Sequence, residues 1–255
     1  VISVGFDPAL NVVGSETAAY FTNPNLSVLP LFLIMGSFAS VGGLADDIYR
    51  LAQALFGHLR GGLALATVGG CAGFGSLTGS SLATAVTIGR VSIPEMRRRG
   101  YSAGLSTGCT AAGGTLGQIV PPSAVLIIYA ILTEESIGRL FVAAVIPALV
   151  ATLLYLITIT LQVRLRPDCA PAVTERWNTR ELMAATRRCG PVFLLLLVVT
   201  GGIYGGIFTV NEAAAVGAGC AFLIALWRGK LGGGAFLRVM AETTASTAMI
   251  YLLIF

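Results

Sequence analysis

Charge is what this sequence has least of. Only 11% of its 255 residues are Asp, Glu, Lys or Arg, against about a quarter in an ordinary soluble domain. So few charges cannot build a water-facing surface, and lipid has to cover much of the outside. The hydrophobic share of 55% and the mean hydropathy of +0.84 agree with that. Histidine is nearly absent. The single copy, His58, lies before Arg60 at a predicted helix end, with no clear nucleophile to serve as a base. Paired cysteine spacing is missing too: Cys71, Cys109, Cys189 and Cys220 sit in or beside apolar runs and Cys169 in a polar linker, which excludes a zinc or redox pair. Phosphate loops and metal-hydrolase motifs are lacking. The net charge of +4 is scattered between apolar runs rather than gathered in a patch, so no nucleic acid is expected as a partner. Position 1 is Val1 rather than Met, and the last residues form the apolar run Met249 to Phe255. We expect the chain to be part of a longer protein.

What is present is a series of apolar runs. Residues 28–57 hold an apolar segment, Val28 to Val41, and an amphipathic one, Leu44 to Phe56. Residues 61–92, 101–133, 140–163, 190–208, 211–227 and 236–255 follow, and about 20 helical residues suffice to cross the hydrocarbon. Lys and Arg mark the cytoplasmic side. Arg50 and Arg60 precede the second run; Arg90 and Arg97 to Arg99 follow it. Arg164, Arg166, Arg176, Arg180, Arg187 and Arg188 fill one linker; Arg228, Lys230 and Arg238 fill the next. Arg139 alone is left for the outside, beside Glu134 and Glu135, with Asp7 and Glu16 in an outward N-terminal part. Residues 61–92 therefore begin and end on one side. The spacing predicts a re-entrant helical hairpin; the alternative, two short full crossings, strands Arg97 to Arg99 outside.

The hairpin has a polar centre at residues 73–81, expected to break the helix. Its tip, Gly75-Ser76-Leu77-Thr78-Gly79-Ser80-Ser81, is a poor helix former. Irregular backbone in a membrane is tolerated only against protein or a water-lined cavity. Its hydroxyls and freed carbonyls are hard oxygen ligands suited to a dehydrated alkali cation, and a helix start offers N–H groups to a carboxylate. A second break is expected at residues 117–123, where Pro121 and Pro122 lack amide donors and Pro121 steers Val120 out of helical geometry. Gln118 and Ser123 add polar side chains there. Read by itself, that segment is equally a proline kink with helix packing. Thr209-Val210-Asn211-Glu212 has the form of a capping box, with Thr209 as N-cap. From these residues alone a transporter with a midplane site, a membrane scaffold for partner subunits and an ion channel all remain open.

The order of the motifs narrows the choice. Leu29-Pro30-Leu31-Phe32, Gly57-His58-Leu59-Arg60-Gly61-Gly62, the hairpin tip with Leu82-Ala83-Thr84-Ala85, Ile93-Pro94-Glu95-Met96-Arg97, Ile119-Val120-Pro121-Pro122-Ser123, Ser136-Ile137-Gly138-Arg139 and Gly205-Gly206-Ile207-Phe208-Thr209 run nearly the whole length. Together they resemble the large membrane subunit of tripartite ATP-independent periplasmic (TRAP) transporters, the dicarboxylate-permease large-subunit family. The resemblance implies an all-α, polytopic, elevator-type fold with an inverted repeat, in the bacterial inner membrane. It implies a non-enzymatic, sodium-coupled importer of organic acids, with a periplasmic solute-binding protein and a small membrane permease subunit as partners and no cofactor beyond Na+.

By carry-over, Gly75, Ser76, Thr78, Gly79, Ser80 and Ser81 with Gly117, Gln118, Pro121, Pro122 and Ser123 would line the ion and substrate sites. Within that set, Na+ would fall at Ser76, Thr78, Ser80, Gly117 and Ser123. Thr209, Asn211 and Glu212 are weaker candidates: the family usually has Thr-Pro-Thr-Glu there, and Ser in place of Thr78. The implied organisation is scaffold and arm helices over 1–60, hairpin plus broken helix over 61–133, a connecting helix and linker over 134–188, and the start of a second repeat over 189–255.

Overall fold

The computed structural model describes residues 11, 14–15, 24–171 and 179–254, and among them every regular element is helical. Asp7, Glu16 and Arg176 lie outside the described residues. Helix α1, Val28–Val41, is apolar on nearly every face and packs against α10 (Val210–Trp227). Phe38 meets Phe222 edge-on at 5.2 Å there. Helix α2, Leu44–Phe56, leaves α1 at 68°. The bend falls at Gly42 and Gly43, the latter with φ +74°. Leu44, Ala45, Ile48, Tyr49 and Ala52 turn inward, the spacing of one helical face, while Asp46 and Arg50 stay out.

Helices α3 (Gly62–Thr78) and α4 (Ser81–Arg98) form the expected hairpin. Both pack on α5, Ala103–Ile119, which continues past an interruption as α6, Ala124–Thr133. Helix α7, Ile137–Leu165, is the longest among the described residues, and its mean hydropathy is the highest of the stretches long and apolar enough to cross a membrane. Its exposed residues Val142, Ile146, Leu149, Leu153, Ile157 and Leu161 recur every three or four positions, an apolar stripe suited to lipid or to another apolar helix. Helix α8, Thr179–Arg188, meets α9 at 52°; α9 runs from Gly190 through a π-helical turn, Leu197–Gly201, to Tyr204. Thr200 donates to the Leu196 carbonyl within that turn.

Helix α11 spans Gly233–Ile254. Among the described residues three helical stretches are long and apolar enough to cross a membrane: α5 with α6, α7 and α10; counting each bent pair, α1–α2 and α8–α9, as one span brings the number to five. Helix α11, expected as a crossing, is not among them. It carries Arg238, Glu242, Thr243, Thr244, Ser246 and Thr247, and part of it faces a polar cavity.

The hairpin's mouth identifies the basic end. Leu63 N–H donates to Tyr101 Oη at 3.3 Å, tying entrance to exit. Ser102 N–H donates to the Cys169 carbonyl at 3.0 Å, bringing the end of α7 to the same place. Arg60, Arg97, Arg98, Arg99, Arg164 and Arg166 therefore share one end, while Arg139 begins α7 at the other. At the α1–α2 bend, Arg228 at the close of α10 pairs with Asp47 at 2.6 Å and donates to the Gly42 carbonyl at 3.1 Å. The hairpin thus enters and returns from the basic side, as the distribution of arginine requires.

Candidate functional site where two helix breaks meet

The first break is shorter than its sequence suggests. Helix α3 continues through Gly75, Ser76, Leu77 and Thr78, correcting the expected interruption across residues 73–81. Ser76 turns its hydroxyl onto the Gly73 carbonyl at 2.7 Å, and Thr78 reaches the Phe74 carbonyl at 3.4 Å. In a buried setting those hydroxyls are satisfied along their own helix and do not compete with it. The break itself is Gly79 and Ser80. Gly79 takes φ +60°, a conformation glycine adopts without penalty, and its N–H closes on the Gly75 carbonyl at 2.8 Å. Ser80 is extended and caps α4, its Oγ accepting from Ala83 N–H at 3.4 Å.

The second break falls where the prolines place it. Helix α5 ends at Ile119, Val120 is extended, and Ser123 caps α6. Ser123 is fully buried; its hydroxyl donates to the Gln118 carbonyl and accepts from Leu126 N–H at 3.4 Å.

The two breaks touch, and this contact builds the site. Ala124 N–H, the first of α6, donates to the Gly79 carbonyl at 3.2 Å. A Cβ at Gly79 would stand 3.0 Å from the Pro122 carbonyl oxygen. A Cβ at Gly75 would stand 2.6 Å from Gly117 Cα, and one at Gly117 would stand 2.5 Å from Thr84 Oγ1 and 2.7 Å from the Ser80 carbonyl oxygen. On the far side, Gly36 of α1 lets Thr78 Cα approach to within 2.8 Å of where its own Cβ would be. Small residues permit this closeness, as is usual between membrane helices.

Of the candidate residues, Gly75, Thr78, Gly79, Ser80, Gly117, Pro122 and Ser123 come together at this junction. Ser76 is buried but turned to Gly73; Pro121 is buried in the second break; Ser81 is half-buried at the start of α4. Gln118 is exposed, and it is its carbonyl that takes Ser123's hydroxyl. Thr209, Asn211 and Glu212 are not brought in. Asn211 lies 3.4 Å from Ser27 at the foot of α1, whereas Thr78 packs at Gly36, nine residues further along and about 13 Å away at 1.5 Å per residue. Thr209 and Glu212 form a complete capping box despite lacking the family's proline. Thr84, fully buried, is the residue the sequence concealed: its Oγ1 sits 2.8 Å from Thr78 Oγ1.

The chemistry offered is neutral oxygen. Thr84 Oγ1 and the Ser80 carbonyl crowd the space that a side chain at Gly117 would occupy, and Thr78 Oγ1 lies 2.8 Å from Thr84 Oγ1. Among the described residues no group of three or more His, Cys, Asp or Glu could hold a metal. Hydroxyl and carbonyl oxygens are hard donors, unlike thiolate sulfur or imidazole nitrogen. From Thr78 and Ser80 a cavity of about 430 Å³ opens between α1, α4 and α11.

Comparison with known proteins agrees. A family model described as tripartite ATP-independent periplasmic transporter, DctM component, matches residues 1–255. The C4-dicarboxylate TRAP transporter large permease protein DctM of Pseudomonas aeruginosa is 40% identical over 212 residues, 83% of this chain and 48% of that protein. The isethionate TRAP transporter permease protein DctMQ of Oleidesulfovibrio alaskensis is 34% identical, covering 89% and 36%. The sialic acid TRAP transporter permease protein SiaT of Haemophilus influenzae is 31% identical, covering 78% and 32%. The chain thus spans about a third to a half of the length of these relatives. It belongs to the DctM component family of tripartite ATP-independent periplasmic transporters, multi-pass inner-membrane proteins that serve transport rather than catalysis.

Proposed function

We propose that this chain supplies one half of the transport site of a sodium-coupled importer of organic acids. The observation that carries the reading is the junction itself, where two interrupted helices bring carbonyl and hydroxyl oxygens face to face inside the membrane bundle. Sodium held by Thr78, Thr84 and the Ser80 carbonyl has no carboxylate at the junction to balance it. A carboxylate of the substrate supplies that balance, and in a partly dry site the two charges attract far more strongly than in water. The N-termini of α4 and α6 add N–H groups and positive dipole ends to the same place. Each ion therefore raises the affinity for the other, which is what coupling requires.

The relatives' names support the acid as the shared feature: C4-dicarboxylate, isethionate and sialic acid differ in skeleton and have an acidic group in common. A backbone-built site reads that group and little else. A periplasmic solute-binding protein would deliver the substrate, and a small membrane subunit would brace the scaffold while the hairpin and broken helix move. The sodium gradient drives the cycle, and membrane voltage adds to it. Uptake by the complete transporter in proteoliposomes, with sodium replaced by choline, tests this. Uptake is expected to stop; undiminished uptake rules out sodium coupling.

A further inference from the structure

Arg90 lies within α4 and not in the loop beyond it. It stands ten residues beyond Ser80 on α4, about 15 Å along the helix axis, on the side of the tip that faces the basic end. The Cα–Cβ bonds of a helix tilt toward its N-terminus, which for α4 is the tip. Arg90 lines the cavity that opens from Thr78 and Ser80, together with Ser40 and Thr87. Among the described residues Arg90 makes no ion pair. Arg90 is exposed at the wall of this cavity, and a cation that lines a polar cavity of a membrane protein without a carboxylate partner is suited to an anion passing there. A second observation points to a ligand in the same cavity. Thr243 of α11 is 4% exposed and lines it, yet its buried hydroxyl has no hydrogen-bond partner among the described residues.

We propose that Arg90 and Thr243 form a second anion subsite, which receives the far acidic group of a substrate whose first carboxylate is held at the hairpin tip. This rests on the tip reading above and gives it selectivity: an anion with two acidic groups spans tip and Arg90, and one with a single acidic group does not. Glu242 lines the same cavity from α11, so it opposes the second negative charge and limits the pull of Arg90. The two side chains therefore have opposite effects on a dianion. If they merely served as partners for each other, losing either would do the same thing.

The test uses the full-length large subunit in complex with its small subunit, in sodium buffer. Succinate, with two acidic groups, and butyrate, with one, are the probes in calorimetric titration. Arg90→Gln is expected to weaken succinate at least about tenfold, the effect of removing one member of a close charge pair, and to leave butyrate unchanged. Glu242→Gln is expected to tighten succinate. The subsite is overturned if the unaltered complex shows no saturable succinate binding, if R90Q leaves succinate unaffected, or if it weakens both probes equally. Should R90Q fail to assemble, E242Q still decides: tighter succinate supports the subsite, and unchanged or weaker binding overturns it. Thr84→Val separates the two readings, because it removes a side-chain oxygen of the tip's sodium site and so weakens both probes. Unchanged binding of both in T84V sinks the tip site, while the contrast between probes in R90Q stands or falls independently.

Discussion

This chain interrupts its helices in two different settings. Between α9 and α10 the break is exposed and closes on itself. Gly205 through Phe208 donate their N–H groups back to Gly201, Gly202 and Ile203, and Ile207 is 73% exposed. Thr209 and Glu212 then exchange hydrogen bonds at 2.8 and 3.3 Å, satisfying the start of α10. The carbonyl that crowds Gly205 is that of Gly201, from its own turn and not from a second break. The breaks at Gly79–Ser80 and Val120–Ser123 are buried and meet each other, with the Gly79, Ser80 and Pro122 carbonyls converging and glycine standing where a side chain would separate them. A broken helix becomes a site through a second break against it; composition at the break is a poor guide, since hydroxyls occur in both.

Substitutions at the two kinds of break should differ sharply. Gly117→Val has the largest expected effect. Its Cβ alone would stand 2.5 Å from Thr84 Oγ1, overpacking of this kind costs about 1–3 kcal/mol, and the added bulk fills the cation's place. Uptake should disappear and sodium should no longer raise the Tm of the purified complex; a variant that transports normally would show that the junction is packing alone. Thr78→Val and Thr84→Val keep shape while removing an oxygen. Each should raise the sodium concentration for half-maximal uptake by about tenfold, the equivalent of one lost hydrogen-bonding partner. An unchanged sodium curve would move the ion elsewhere. Thr209→Ala should have the smallest effect on function. It removes the capping box at a stability cost of about 1 kcal/mol, read as a lower Tm, with the sodium curve of uptake unaltered. A shifted curve would bring the exposed break into the site and erase the contrast.

Much of this was legible in the sequence, for reasons that differ by element. The second break was placed to within a few residues because Pro121 and Pro122 lack the amide a helix requires, wherever they sit. The hairpin followed from arginine alone, since charge must stay on one side of the bilayer. The first break was read too wide. Gly75, Ser76 and Thr78 are weak helix formers where water competes for the backbone, and here Ser76 and Thr78 spend their hydroxyls on Gly73 and Phe74. Helix α11 was read from its apolar end as another crossing, and that reading did not foresee that Glu242, Thr243 and Ser246 line a polar cavity. Arg90 was counted among the basic residues beyond the hairpin, and its place inside the cavity depends on where α4 begins. Thr84 and Gly36 could not be found by pattern, because what makes them matter is the approach of helices distant in sequence.

Hydrogen exchange on the complete transporter, in sodium and in choline at equal ionic strength, tests the central claim most directly. If sodium sits where the breaks meet, exchange should slow in residues 75–84 and 117–126 together, while residues 205–214 stay the same in both salts. Equal exchange in the two junction segments with and without sodium would contradict the account.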